Sequence, residues 1–286
     1  MEEDRRNRRE DERMETSAQS VDVAVGRVPT SFLASPSSIP GVDYSINPYV
    51  GCPHKCLYCS AQHMPQFRSR SESWGDFVDV KLCSRRLPYK KLEGKTVILS
   101  SVTDPYNPLE AREKATRSIL EDMIFSQCRF NLLILTKGCL VLRDTELFRE
   151  MDASVGLSIN CLDEEFQGKI EPRASSVSQR LEALRRLHEA GVRTWVFVAP
   201  VFPAVTDVGA ILEAVAPWAS YVFFESLKLR PPYKEPVLAL MERQYPTLRR
   251  LYRAVYRYGE RQYWRDLTLA IHERCSAMEV PYRIFF

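Results

Sequence analysis

The chain has 286 residues, of which 45% are hydrophobic and 27% charged, a composition that excludes collagen-like, mucin-like and wholly disordered proteins. Its length fits one α/β barrel or two smaller domains. The most apolar stretch, residues 195–205, contains Pro200 and Pro203 and is too short for a membrane helix. We therefore expect a soluble, cytoplasmic protein without a membrane partner.

The first fifteen residues contain seven acidic residues and five arginines and almost no apolar side chain, which is the opposite of a secretory signal. Residues 1–20 are therefore predicted to be a disordered charged tail, and residues 40–286 a single folded domain. The rest of the chain has a mild excess of positive charge, which permits an anionic partner without requiring one. Eight cysteines in a long chain of this kind favour metal or redox chemistry over a disulfide framework.

From about residue 45 onward, strand-like apolar runs alternate with helical patterns, which is typical of a parallel sheet built from βα units. Most of the runs are apolar throughout, as strands covered on both faces should be. The six predicted strands are residues 44–50, 95–101, 129–136, 153–159, 192–199 and 220–224. A further strand is predicted near residues 77–82, and residues 282–286 are expected to form a short terminal strand.

Helix boundaries are also predicted from the sequence. Asn107 is expected to cap a helix, and Ser176 with Gln179 forms a capping box for another. Residues 236–258 and 260–277 are predicted to be helical. The sequence thus indicates an α/β fold of six βα units with a C-terminal helical extension.

Three cysteines lie on one short loop directly after the first strand, in residues 51–59 (GCPHKCLYC). Thiolates at this C-x3-C-x2-C spacing suit three corners of a 4Fe-4S cluster, which leaves one iron open to a ligand from outside the protein. Zinc is the alternative, and it requires a fourth ligand such as His54 or His63. The other five cysteines have no paired spacing and are predicted to be small buried side chains. They are Cys83, Cys128, Cys139, Cys161 and Cys275.

The cysteine loop, with an aromatic residue before its third cysteine and six βα units, resembles that of the radical S-adenosylmethionine (SAM) superfamily. The fold of that superfamily is a partial (βα)6 barrel of the TIM type. Five blocks are similar in order and spacing to the spore photoproduct lyase-like branch, and the resemblance covers about residues 40–285. The blocks are residues 47–52 (NPYVGC), 101–106 (SVTDPY), 136–137 (TK), 142–144 (LRD) and 171–173 (EPR).

The resemblance implies that Cys52, Cys56 and Cys59 hold the cluster. It further implies that the open iron binds SAM and that one electron splits SAM into methionine and a 5′-deoxyadenosyl radical, which takes hydrogen from a substrate. The implied partner is a low-potential electron donor of the flavodoxin or ferredoxin type.

The residues that the resemblance assigns to the SAM pocket mostly follow strand ends, where barrels of βα units place their active sites. They are Tyr58, Thr103, Asp104, Lys137, Ser158 and Arg173. The alternatives are a turn for Asp104 and an ion pair with Glu171 for Arg173. Glu225 and Lys228 are either substrate-facing or a salt bridge.

The sequence departs from spore photoproduct lyase itself at two positions. Alignment of the Thr-Asp pairs places Ser101 where that lyase has a cysteine that returns hydrogen to the product radical. Ser60 stands where the lyase has a tyrosine. A serine O–H is a far poorer hydrogen-atom donor than a thiol, so we expect a lyase-like radical SAM enzyme whose substrate is not spore photoproduct.

Arginines near the C-terminus recur every four residues, an interval that places side chains along one helix face. Aromatic residues between them are typical of surfaces that bind nucleic acid, although Gly259 and nearby acids favour a solvated face instead. Nucleic acid is thus one candidate substrate, beside peptides, proteins and small molecules. A nucleic-acid-binding protein with a structural or redox-sensing cluster is the alternative function. The arginines are Arg249, Arg253, Arg257, Arg261 and Arg265.

Overall fold

The computed structural model describes residues 23–64 and 71–286, so the predicted tail of residues 1–20 lies outside the described residues. The strands, numbered in chain order, are β1 (Ala24–Thr30), β2 (Ala34–Pro36), β3 (Tyr44–Ile46), β4 (Tyr49–Val50), β5 (Phe77–Cys83), β6 (Thr96–Leu99), β7 (Asn131–Thr136), β8 (Ser154–Ser158), β9 (Arg193–Val201), β10 (Val222–Ser226) and β11 (Tyr282–Phe285).

The helices between these strands follow mainly from amphipathic patterns in the sequence. They are α1 (Tyr89–Leu92), α2 (Glu110–Glu113), α3 (Ala115–Ser126), α4 (Thr145–Met151), α5 (Glu164–Ile170), α6 (Val177–Glu189), α7 (Val208–Val215), α8 (Lys234–Gln244), α9 (Arg249–Arg257) and α10 (Gln262–Ala277). Short 3-10 helices span Ser60–His63, Cys139–Asp144 and Pro246–Leu248.

The main sheet has eight strands in the order β11-β10-β9-β8-β7-β6-β3-β2. Every adjacent pair is parallel except β2 with β3, so six βα strands run side by side from β3 to β10. The predicted terminal strand is present as β11, parallel to β10. These features, with the helices after β10, confirm the α/β fold class of a partial (βα)6 TIM-type barrel with a C-terminal helical extension.

One apolar core joins the sheet to its helices. Leu99, Ile134, Val155 and Val196 come from four neighbouring strands and are fully buried in it. All five residues of β8 are buried, as expected for a strand covered on both faces. This arrangement brings the carboxyl ends of the parallel strands to one rim.

The predicted first strand, residues 44–50, is divided between two sheets. β3 belongs to the main sheet, whereas β4 joins β1 and β5 in a three-stranded sheet in the order β1-β5-β4. Pro48 lies between β3 and β4 and has no N–H to continue a ladder, which is the physical reason for the break. The predicted strand near residues 77–82 is β5, and β1 was not predicted.

Two helix predictions are wrong in detail. Asn107 does not cap a helix: its side-chain oxygen accepts from the Leu109 N–H in a turn, and α2 begins at Glu110. Residues 236–258 are not one helix, because Pro246 disfavours the helical conformation of Tyr245 and separates α8 from α9.

The predicted row of five arginines is also divided. Arg249, Arg253 and Arg257 lie on α9, but Gly259 adopts a left-handed conformation (φ +71°) that ends this helical path. The last two arginines belong to the start of α10. The prediction of one continuous stripe is therefore wrong, because the basic side chains are divided between two helices.

The five cysteines outside the cysteine loop differ in burial. Cys139, Cys161 and Cys275 are buried as predicted, whereas Cys83 and Cys128 are only half-buried. The Cys128 thiol donates to Glu93 near the surface, which explains its exposure.

Among the helices of the described residues, none combines the length and apolar character needed to cross a bilayer.

Candidate active site

The cysteine loop follows β4 and is held by close backbone packing. Gly51 has φ +84°, and a Cβ at this position would lie 2.5 Å from the carbonyl oxygen of Phe77, so only glycine fits without displacement. The Lys55 side chain on this loop forms an ion pair with Asp76 at 2.7 Å. Cys52 and Cys56 are buried and Cys59 is half-buried. The fold thus brings the three cysteines to the rim on one fixed loop.

The three sulfurs form one electrostatic group. Burial raises the pKa of Cys56 well above its ordinary value; the charge of Lys137 opposes this shift, and the Cys59 and Cys52 sulfurs add to it. Burial likewise raises the pKa of Cys59 to about 11, with a further contribution from Cys52. Thiolates crowded in this way need positive charge, which iron supplies.

The metal ligands that this region offers are the three cysteines and the histidines His54 and His63. Among residues 23–64 and 71–286, no three His, Cys, Asp or Glu side chains converge where one ion could bind all of them. Nδ1 of His54 lies 3.4 Å from Asp104, and Nδ1 of His63 lies 2.6 Å from the carbonyl oxygen of Pro231. In a 4Fe-4S cluster each cysteine binds a different iron, so the sulfurs need not converge.

Tyr58 connects the cysteine loop to a buried charged network. Its hydroxyl donates to Glu171, and the Asn160 amide donates to both residues at 3.1 Å. Glu171 also pairs with Arg180 at 2.5 Å, and neither of these two side chains is exposed to solvent. Burial acts to raise the pKa of Glu171, but the charges of Arg180 and Lys137 outweigh it and hold the pKa below 4.5.

Lys137 and Ser158, which the resemblance assigns to the SAM pocket, lie together at the rim. Lys137 follows β7 and Ser158 ends β8, and the lysine Nζ donates to the serine Oγ at 2.9 Å. The same Nζ lies 4.0 Å from Glu171 and 5.9 Å from the centroid of the Tyr58 ring. Its charge also affects the pKa of Cys56. Lys137 therefore stands between the cysteine loop and the end of β8.

Thr103 and Asp104 both contact the structure around the cysteine loop. The Thr103 hydroxyl donates to the carbonyl oxygen of Gly51 at 2.5 Å. Asp104 is buried and accepts from the Thr136 hydroxyl and the Lys137 N–H. Burial acts to raise the pKa of Asp104, but His54 and these donors lower it to about 2. The turn predicted as the alternative is present too, because Asp104 accepts from the Tyr106 N–H.

Arg173 does not pair with Glu171, which was its predicted alternative partner. Its guanidinium donates to the Gly75 carbonyl oxygen at 2.6 Å and to Asp76 at 3.1 Å. Because Asp76 also binds Lys55, Arg173 braces the cysteine loop from outside. Glu225 and Lys228 form a salt bridge, one of the two alternatives that the sequence left open, with 2.6 Å between Oε1 and Nζ.

The sequence places Asn160 only among the polar residues at strand ends, and it does not point to Glu171 or Arg180 as parts of this site. Glu171 belongs to the EPR block, but only the arginine of that block was assigned a pocket role. Arg180 has a recognisable signal, because it lies three residues after Val177 and four before Leu184 on the buried face of α6. A charged residue in such a core position requires a buried partner.

The residues that differ from spore photoproduct lyase have clear positions. Ser101 is exposed and its N–H donates to Asn47, while Ser60 is exposed in a 3-10 helix beside the loop. Cys139 and Cys161 follow β7 and β8 and are buried there, whereas Cys83 ends β5 in the small sheet.

Comparisons with known proteins agree with this architecture. The family model of the radical SAM superfamily matches residues 46–213. The uncharacterized protein MJ0683 of Methanocaldococcus jannaschii is 38% identical over 201 residues, which cover 68% of this chain and 74% of that protein. The uncharacterized protein Mb2609c of Mycobacterium bovis is 31% identical over 233 residues, which cover 76% and 68%.

Two solved structures are similar in fold. Spore photoproduct lyase complexed with dinucleoside spore photoproduct aligns with a TM-score of 0.58 at 19% identity, covering 82% of this chain and 68% of that chain. SuiB of Streptococcus suis bound to S-adenosylmethionine aligns with a TM-score of 0.53 at 11% identity, covering 85% and 50%. This chain therefore spans about two thirds of the lyase and half of SuiB. With the family model matched over residues 46–213, the chain belongs to the radical SAM superfamily of SAM-dependent radical enzymes.

Proposed function

We propose that this chain binds a 4Fe-4S cluster through Cys52, Cys56 and Cys59 and reductively cleaves SAM to act on a substrate other than spore photoproduct. The observation that carries the proposal is the position of Lys137. Its ammonium group donates to Ser158 on β8, and its charge acts to lower the pKa of Cys56. A cation there suits a ligand whose carboxylate lies beside the cysteine loop.

When bound, the cluster supplies an open iron for the amino and carboxylate groups of SAM and the electron that splits SAM. The residues of the chain bind and orient. Lys137 would attract the carboxylate of SAM, and Ser158 holds the direction of the lysine ammonium group. The backbone of Tyr58 would border the adenine, while its hydroxyl is held by Glu171.

We assign Thr103, Asp104 and Arg173 to the same site as positioning residues. Thr103 holds Gly51, Asp104 orients the backbone of Lys137, and Arg173 holds Asp76 against Lys55. Their polar groups already have protein partners, so their contribution is the shape of the pocket.

A low-potential donor of the flavodoxin or ferredoxin type is the proposed partner, because reductive cleavage of SAM consumes an electron from outside the chain. Dithionite replaces this donor in the test that follows. The test begins with anaerobic reconstitution and analysis of iron, sulfide and zinc.

The expected result is about four irons per chain, as one such cluster requires. Dithionite and SAM should then yield 5′-deoxyadenosine, and Cys56→Ala should yield none. Lys137→Met should keep the iron content but weaken SAM binding at least tenfold, whereas the matched variant Lys169→Met, which alters an exposed pair with Glu165, should bind SAM normally. Zinc in place of iron, or a cluster that never cleaves SAM, would contradict the proposal.

A further inference from the structure

A strongly basic segment follows the barrel. Residues 243–265, here called the basic segment, contain seven arginines and one acidic residue. Arg249 pairs with Glu242 at 2.6 Å and Arg257 with Glu235 at 2.7 Å. Four other arginines of the segment form no ion pair within the part of the chain that the structure describes. They are Arg243, Arg250, Arg253 and Arg261. The segment therefore carries positive charge that the protein does not neutralise.

A groove of about 430 Å³ lies between α8 and α9 within this surface. Leu238, Met241 and Tyr252 are among its apolar lining. Three of the four arginines of α9 line it as well, together with Glu242, the partner of Arg249; they are Arg249, Arg253 and Arg257. Tyr252 is 3% exposed, and its hydroxyl has no hydrogen-bond partner among the described residues. The groove itself therefore combines apolar surface with positive charge.

Both ends of the basic segment contact the rim of the barrel. At the first end, Lys169 on α5 donates to Gln244, and the Tyr245 ring packs against Phe166. At the other end, the Tyr263 hydroxyl accepts from the N–H of Ala204 in the loop after β9. α5 leads directly to Glu171, which holds Tyr58, so the segments that flank α9 contact elements next to the candidate active site.

Exposed aromatic surface accompanies the arginines. Tyr258 follows α9 and is 76% exposed, next to Arg257. The three groove-lining arginines of α9 are spaced at four residues, about 6 Å along the helix at ~1.5 Å per residue. Repeated guanidinium groups bind phosphates, and an exposed ring stacks on an unpaired base. An acidic peptide would use the charge but not the ring, and the bases of a duplex are paired and stacked on each other, so they do not offer a face to the Tyr258 ring.

We propose that the α8–α9 groove and Tyr258 bind single-stranded nucleic acid and present it to the rim as the substrate. The substrate role rests on the proposed function, whereas the binding itself does not. DNA and RNA share the phosphate and base chemistry that this surface recognises, so probes of both kinds are needed.

The experiment measures binding of fluorescent oligothymidylate and oligouridylate of about 20 nucleotides, longer than the ~4–16 nucleotides of a typical single-strand site. The full chain is used, with fluorescence anisotropy at several salt concentrations. Arg253→Glu and Tyr258→Ala should each weaken binding of the preferred oligonucleotide by about tenfold or more. Arg253→Ala should also lower the slope of log K against log salt by ~0.7, the loss of one phosphate contact on a single strand.

The matched control is Arg193→Glu, which reverses an exposed arginine at the opposite end of the barrel, where β9 begins. It should leave oligonucleotide binding unchanged. Equal weakening by this control would overturn the proposal, because it would show attraction by overall charge alone. The proposal would also be overturned if oligonucleotide affinity did not change with salt concentration, or if polyglutamate or anionic vesicles bound equally tightly.

Failure of this inference is distinguishable from failure of the proposed function. Cys56→Ala should lose SAM cleavage and keep oligonucleotide binding. Arg253→Glu should keep the iron content and the slow formation of 5′-deoxyadenosine without substrate. A chain that cleaves SAM but binds neither oligonucleotide would refute the inference and leave the proposed function standing.

Discussion

The ion pair between Glu171 and Arg180 has no exposed surface, and it connects the cysteine loop to α6. Arg180 also donates to the carbonyl oxygens of Ser158 and Ser175. Removal of one partner from such a pair leaves a buried charge without compensation, which typically costs ~3–5 kcal/mol. The pair therefore makes stability and site geometry depend on the same two side chains.

We predict that Arg180→Met lowers the free energy of unfolding by ~3–5 kcal/mol. Arg185→Met is the matched control on the same helix, because Arg185 forms half-exposed pairs with Glu182 and Glu189. Pairs of that kind contribute at most ~1 kcal/mol. Denaturant titration of the apoprotein measures both variants.

Adding Glu171→Gln to Arg180→Met should recover part of the loss, because the double variant no longer buries an unpaired carboxylate. If Arg180→Met and Arg185→Met lower the free energy of unfolding by the same amount, the charge of Arg180 adds nothing to stability and only its apolar stem contributes.

The candidate site was predictable where residues lie next to a strand end. Lys137 and Ser158 meet because β7 and β8 are parallel neighbours, and adjacent strands follow from the βα pattern. The pairing of Arg173 with Asp76 was not predictable, since 97 positions separate them and neither residue type specifies its partner. Long-range ion pairs depend on packing that a local pattern does not contain.

At the scale of elements, the turn at Gly51 sets the direction of the cysteine loop. Gly51 and Gly41 both have positive φ, but a Cβ at Gly51 would clash with Phe77, whereas one at Gly41 would meet nothing within 4 Å. The backbone cost of a left-handed alanine is ~1–2 kcal/mol at either position. Only Gly51→Ala must also displace the loop.

We therefore predict that Gly51→Ala loses at least half of the iron bound after anaerobic reconstitution, while Gly41→Ala binds iron normally. Iron analysis with the 4Fe-4S absorbance measures this. If both variants bind iron equally, the loop tolerates displacement and its geometry is not limiting.

Element identity was largely predictable, and element ends were less so. The six strands were found because each is an apolar run between helical patterns. The division at Pro48 was missed because the whole run from residue 44 to residue 50 suits a strand, and only tertiary contacts send its two halves to different sheets. The division between α9 and α10 depends on the left-handed backbone of Gly259.

At the scale of the whole molecule, the main sheet does not close, and β11 covers the edge of β10. The aromatic rings of β11 and the last residue pack inward: Phe285 against Phe223 with centroids 5.8 Å apart, and Phe286 against Trp264 at 5.0 Å. An uncovered apolar edge strand is a site for pairing with another chain.

We predict that deletion of residues 282–286 lowers the thermal unfolding midpoint and causes concentration-dependent self-association, measured by light scattering. The variant Phe285→Ala with Phe286→Ala keeps the backbone pairing of β11, so it should lose stability without self-association. A deleted chain that remains monomeric would show that β10 needs no cover.

The bond between Tyr58 and Glu171 joins residues 113 positions apart, and this separation has a consequence for the making of the protein. At ~5–20 residues per second, a ribosome takes about 6–23 s to extend the chain from one to the other. During that interval the cysteine loop has been made without Glu171, which accepts from the Tyr58 hydroxyl. The buried network around Tyr58 is therefore complete only after translation passes Arg180, the partner of Glu171.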